Sequence, residues 1–154
     1  MHMRHTMRWT VLTGMAVGLV LAGCGPKTAI STCQLTGGSE VPAVSTNAVG
    51  TATATLDGSD LSITGTFSGL QSDLFEVSGS AAHIHQGATG VAGGIVFGLN
   101  IVTTDNRNGS FTGTKSLNAD EQKAYKAGLF YVNVHTRTNT GGEIRGQFDR
   151  VQDK

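Results

Sequence analysis

Three histidines carry the chemistry this sequence offers. His83 and His85 sit in Ala81-Ala82-His83-Ile84-His85-Gln86-Gly87, and His135 closes Tyr131-Val132-Asn133-Val134-His135. The other two of the five, His2 and His5, fall in a segment expected to be removed. Side chains at i and i+2 of an extended strand share a face. His83 and His85 therefore point one way and Ile84 the other. Val132 and Val134 share one face, and Tyr131, Asn133 and His135 share the opposite one. With Ile84 and the valines turned to the core, all three imidazoles stand on polar faces. Imidazole suits zinc and copper, and a His-x-His pair plus a third His from a neighbouring strand gathers three ligands. The pattern points to one mononuclear site of His83, His85 and His135 for copper or zinc. A structural reading stands beside it: the imidazoles hydrogen-bond backbone or carboxylate groups and fix loops.

The last hairpin extends the pattern. In Gly142-Glu143-Ile144-Arg145-Gly146-Gln147-Phe148, Ile144 and Phe148 share one face, and Glu143, Arg145 and Gln147 share the other. Residues opposite each other on paired strands must share a face. His135 then opposes Glu143 or Arg145, and Tyr131, Asn133 and His135 line up beside Glu143, Arg145 and Gln147. No Ser/Thr filler dilutes these six positions, so they read as a specific polar network. Glu143 is expected there as a fourth ligand or as a group that orients an imidazole.

The elements that must position these residues are strands. Residues 30–36, 48–56, 61–67, 80–86, 95–102, 110–116, 129–136 and 143–151 read as eight strands separated by turns. Asp57-Gly58 is a hairpin signal. Leu61, Ile63 and Phe67 alternate against a Thr/Ser-rich outer face. One short helix is predicted over 118–127, with Asn118 as N-cap, Glu121 completing a capping box and Gly128 at its end. The fold class implied is all-β, an antiparallel Greek-key sandwich or flattened barrel. Gly87, Gly90 and Gly93 have GxxGxxG spacing, and no helix follows to receive a phosphate. The 87–94 loop reads as a strand connection that can leave the histidines accessible. No Gly-x-Ser-x-Gly nucleophile elbow occurs.

Composition bounds the rest. A chain of 154 residues with 22 glycines suits one turn-rich domain. Residues 1–23 form a predicted signal peptide: Arg4 and Arg8, then an apolar run too short for a comfortable membrane span. The run ends Leu21-Ala22-Gly23-Cys24, which resembles the lipobox of bacterial lipoproteins, where cleavage precedes a lipidated Cys. Cys24 is the expected lipidation site, residues 24–29 a short tether, and the compartment an extracytoplasmic cell envelope. Gly25 after the Cys leans towards the outer membrane in a two-membrane organism. Without residues 1–23 the chain keeps nine basic and eleven acidic residues, a net charge of about −2. That balance offers no basic face for nucleic acid. A protein partner is not legible. Cys33 is left single, and it reads as a buried small hydrophobe, a metal ligand or an intermolecular thiol.

Together these residues carry a resemblance. Ala82-His83-Ile84-His85-Gln86-Gly87, Gly90, Val96-Phe97, Tyr131-Val132-Asn133-Val134-His135-Thr136 and Gly141-Gly142-Glu143-Ile144-Arg145-Gly146-Gln147 resemble the CHRD domain, named from chordin and widespread in bacterial secreted proteins. The earlier Leu35-Thr36-Gly37-Gly38-Ser39-Glu40-Val41-Pro42-Ala43-Val44 fits its usual opening. The domain is expected over 30–152. Thr140 replaces a Pro often found before the Gly-Gly pair, a change confined to the turn. The resemblance implies a β-sandwich of largely undefined activity. A looser similarity links the chain to copper–zinc superoxide dismutase, which also carries an H-x-H strand and a later strand His on a Greek-key barrel. The ligand count argues against that enzyme: a copper site plus a bridged zinc site needs at least six His/Asp ligands, and three His remain. The sequence thus reads as an anchored binding protein with one metal site. The alternatives are a metal-free structural or protein-interaction domain, then a dismutase-like metalloenzyme.

Overall fold

The computed structural model describes residues 28–151. The predicted signal peptide, Cys24 and the first part of the tether lie outside them. Strand β1 (Thr28–Thr36) starts two residues before the expected Ile30. Its inward face carries Ala29, Ser31 and Leu35, while Ile30 is turned outward. Cys33 follows the inward parity and is half-buried, close against Gly146. Burial, reinforced by the Asp149 charge, pushes its thiol up to about 12. A thiol held protonated in this way is a poor nucleophile and a poor metal ligand.

β1 pairs along its whole length with β2 (Val49–Asp57), and β2 turns through Asp57-Gly58 into β3 (Asp60–Ser68). Gly58 has φ +60°, the left-handed value this tight turn requires. Leu61, Ile63 and Phe67 face the core as the alternation predicts. Gly65 replaces a side chain on that face, because a Cβ there would run into the Phe111 ring.

The remaining strands are β4 (Ala82–Gln86), β5 (Gly94–Gly98), β6 (Asn100–Thr103), β7 (Gly109–Ser116), β8 (Phe130–Val134) and β9 (Ile144–Gln147). The sheet order is β5-β4-β8-β9-β1-β2-β3-β7-β6, with antiparallel pairing throughout. The eight strands expected become nine because the single strand over 95–102 breaks at Leu99. Leu99 turns inward and gives its N–H to Ala82 O at 2.8 Å. β5 before it pairs with β4, and β6 after it pairs with β7. The two ends of the sheet are thus adjacent in sequence, which nearly closes it into a barrel. β4, β5/β6 and β7 follow one another around the wall, and β8 returns to lie beside β4, a Greek key. The last strand is shorter than expected, since pairing stops at Gln147.

The return to β8 is made by helix α1 (Ala119–Lys126). Asn118 accepts from Glu121 N–H at 2.9 Å, and the Glu121 carboxylate accepts from Asn118 N–H at 2.9 Å. Gly128 follows with φ +75°. The helix docks Tyr125 against Phe130 and Phe148, and the Tyr125 hydroxyl donates to Ala54 O at 3.0 Å. Asn118→Ala removes one half of the capping box and is expected to cost about 1 kcal/mol. Thermal unfolding should show a fall of roughly 4 °C in Tm; no change would mean that docking of Tyr125 alone holds the helix.

Candidate metal centre

β4 and β8 lie side by side, with His83 opposite Asn133 and His85 opposite Tyr131. His135 follows β8 and gives its backbone N–H to Ala81 O at 2.8 Å. This register puts the three imidazoles on one patch of the sheet face away from Ile84, Val132 and Val134, which are in the core. Ring centroids are 5.0 Å apart for His83–His135, 5.8 Å for His83–His85 and 6.2 Å for His85–His135. One ring nitrogen from each residue lies within 4.8 Å of the other two, so the three can hold a metal ion. Tetrahedral ligation with bonds near 2.0–2.1 Å wants nitrogens about 3.4 Å apart. Closing the widest pair takes about 1.4 Å, within reach of small ring rotations about the Cβ–Cγ bonds.

The polar face is not a wet one. His83, His85 and His135 are 0%, 8% and 4% exposed. Two ring nitrogens are committed to backbone: His85 Nδ1 meets Gly93 O at 3.0 Å, and His135 Nδ1 meets Thr140 O at 2.9 Å. Only the carbonyl of Thr140 is used, so replacing the family's frequent Pro at that turn leaves the contact intact. The other ring nitrogens, His85 Nε2, His135 Nε2 and both of His83, are buried without a hydrogen-bond partner. Native proteins rarely leave buried polar atoms unpaired, and each such case calls for an explanation. A metal ion here would answer three of them at once, one nitrogen from each ring.

Burial also sets the protonation state. It depresses the pKa of His83, with His85 adding repulsion, and it depresses that of His85. Burial brings His135 down to about 4. All three are therefore neutral at pH 7, the form that ligates.

The 87–94 loop roofs the cluster instead of leaving it accessible. Arg145 donates from Nη1 to Val91 O at 2.9 Å and from Nη2 to Ala88 O at 3.1 Å. Gln147 donates from Nε2 to Gly87 O at 3.0 Å, and Gly93 N–H donates to the Tyr131 hydroxyl at 3.0 Å. Tyr131 is sandwiched: His85 stacks on it at 4.9 Å, and the Arg145 guanidinium carbon lies 3.5 Å from its ring centroid. Of the two registers that face parity allowed, the structure takes the one that sets Asn133 opposite Arg145 and Tyr131 opposite Gln147. Within it Tyr131, Arg145 and Gln147 hold the roof, and Asn133 faces the imidazoles.

Glu143 does not join them. Its carboxylate accepts from Thr46 Oγ1 at 2.8 Å, Gln71 N–H at 2.9 Å and Thr136 Oγ1 at 2.8 Å. It sits one residue before β9, just after Gly142 at φ +131°. Strand parity does not extend through that turn, and three donors already satisfy the acid.

The acid that reaches the site is Glu40, from the segment after a short 3-10 turn (Gly37–Ser39). It is 8% exposed, and burial raises its pKa to about 7 against opposing effects of the Val41 N–H, Arg145 and Asn133. Gly142 makes room for it: a Cβ there would collide with Glu40 Oε1 and lie 2.6 Å from Asn133 Nδ2. Glu40 stands in the sequence's opening motif, but no strand parity connects it to residues 93 positions away.

An antiparallel Greek-key barrel with three converging buried imidazoles is the class of protein that fold and site define. The particular family is CHRD: residues 31–148 match the CHRD domain model, and the chain belongs to that family. No curated protein and no solved structure matches the chain.

Proposed function

We propose that this is a lipid-anchored protein of the cell envelope whose CHRD domain binds one copper or zinc ion through His83, His85 and His135. The observation that carries the reading is the convergence of three neutral imidazoles whose remaining ring nitrogens have no other partner. Lipidation at Cys24 would anchor the chain to the membrane, in the outer membrane where the organism has one. Several acyl chains hold stably, at roughly 0.8 kcal/mol per buried CH₂. Burial of all three imidazoles, with the 87–94 loop closed over His85, favours holding a metal over turning over a substrate. A catalytic metal needs an open position, and here that side is closed.

Copper(II) and zinc(II) titrated into the purified full chain should bind at one equivalent. Binding should be lost in His83→Ala and His135→Ala. An unchanged stoichiometry in both variants, or no binding to the native chain, overturns the reading. The metal-free structural reading has its own support, since His85 and His135 each tie a loop through Nδ1. It expects His135→Ala to lower Tm while metal changes nothing.

A further inference from the structure

Three imidazoles leave a four-coordinate ion one ligand short. Asn133 lies directly opposite His83, two residues before His135 and diagonally across from His85. It therefore borders all three imidazoles. It is 2% exposed, and its Oδ1 is buried with no hydrogen-bond partner. The orientation of the amide is fixed from the other end. Nδ2 donates to Gly141 O at 3.2 Å and faces the Glu40 carboxylate across Gly142. With the nitrogen so held, Oδ1 is directed at the histidines. His85 Nε2 is likewise buried without a partner. A buried amide oxygen and buried imidazole nitrogens left unsatisfied on one patch leave a place for a cation among them.

We infer that Asn133 Oδ1 is the fourth ligand of this site, that Gly141 and Glu40 hold its amide in the ligating orientation, and that the resulting His₃O set selects a divalent borderline cation over copper(I). This rests on the metal-binding reading above. Copper(I) prefers soft sulfur donors, whereas an amide oxygen suits a harder, divalent ion and serves copper as a weak axial ligand. Gly142 is what lets the carboxylate approach the amide, so the selection is built partly by a residue without a side chain.

The test compares the full native chain with Asn133→Ala and Asn133→Asp, using copper(II) alone, then copper(I) under a reductant. The native chain should bind one equivalent of copper(II). Asn133→Ala should still bind one equivalent, with copper(II) affinity about ten- to a hundredfold weaker, an altered electron paramagnetic resonance spectrum and copper(I) affinity little changed. Asn133→Asp keeps the oxygen and adds charge, so it should bind copper(II) at least as tightly as the native chain. Native affinity and spectrum in both variants would overturn the assignment while leaving the three-histidine site standing. No binding by the native chain would overturn the metal reading itself. Should Asn133→Ala fail to fold, Asn133→Asp decides: tighter copper(II) binding with a shifted spectrum supports the ligand role, and weaker binding overturns it.

Discussion

Replacing Arg145 with methionine is expected to destabilise the protein by about 3 kcal/mol and lower its Tm by roughly 10 °C. Arg145 is 2% exposed, yet no carboxylate pairs with it among the described residues' ion pairs. Its charge is met by two loop carbonyls, by Gln147 Oε1 at 2.9 Å and by the Tyr131 face. Methionine fills much of the volume but leaves the carbonyls of Ala88 and Val91 without their donor. A buried acceptor that loses its partner costs about 1–3 kcal/mol. Here water can reach part of the loop, so the total stays near 3 kcal/mol and does not double. Lysine should not restore the loss, since one ammonium cannot bridge both carbonyls and also stack flat on Tyr131. Thermal unfolding of the metal-free chain reads the stability, and limited proteolysis within 87–94 reads the roof. A Tm drop below about 2 °C with the loop still protected would show that the loop backbone holds itself.

The metal-free protein is also expected to lose stability steeply on acidification below about pH 6.5. His83, His85 and His135 have folded-state pKa values below the ordinary 6.5, chiefly from burial. As pH falls through 6.5 the unfolded chain takes up protons that the folded chain refuses. Stability therefore falls with pH, and for His135 the loss continues down to about 4. Glu40 works the other way. Its folded value, about 7, exceeds the ordinary 4.5, so its contribution is lost as pH rises through that window and regained on acidification. One carboxyl opposes three imidazoles, and the imidazoles win. A net difference of one to two protons corresponds to about 1.4–2.7 kcal/mol per pH unit. Denaturant unfolding at pH 7, 6 and 5 with a chelator present measures this slope. Bound zinc should raise stability at pH 7 and lose that advantage only as pH falls towards the folded His135 value of about 4, because ligation requires neutral imidazole. A flat stability between pH 7 and 5 would mean that the imidazoles are far more hydrated than their burial implies. His135→Gln should reduce the slope without abolishing it.

Much of this was legible because β structure and helix caps are local. Alternation placed Leu61, Ile63 and Phe67 inward, Asp57-Gly58 marked a hairpin, and Asn118 with Glu121 marked a helix start. Period-2 parity placed Ile84, Val132 and Val134 on the core side, and thereby put His83, His85 and His135 on one common face. It also set Tyr131 and Asn133 on the same face as Arg145 and Gln147, and left the register between them to the structure. Parity failed where regular backbone ends. It assigned Glu143 to the histidines across a turn in which Gly142 takes φ +131°, and it ran a single strand through Leu99, where the chain changes partner.

The sequence by itself determined which side chains share a face, because that follows from the two-residue repeat of an extended strand. Only the tertiary structure decided what covers that face. Whether a polar face meets water depends on contacts between segments far apart in the chain, and no local pattern encodes them. Arg145 and Gln147 draw the 87–94 loop down onto His85, and the Thr140 turn holds His135, so that a face expected to stay accessible is buried. Glu40, 93 residues before Asn133, arrives beside that amide, while Glu143 turns to Thr46, Gln71 and Thr136. Burial then keeps the histidines neutral and their nitrogens unpaired, and so turns three histidines on two strands into a candidate metal centre.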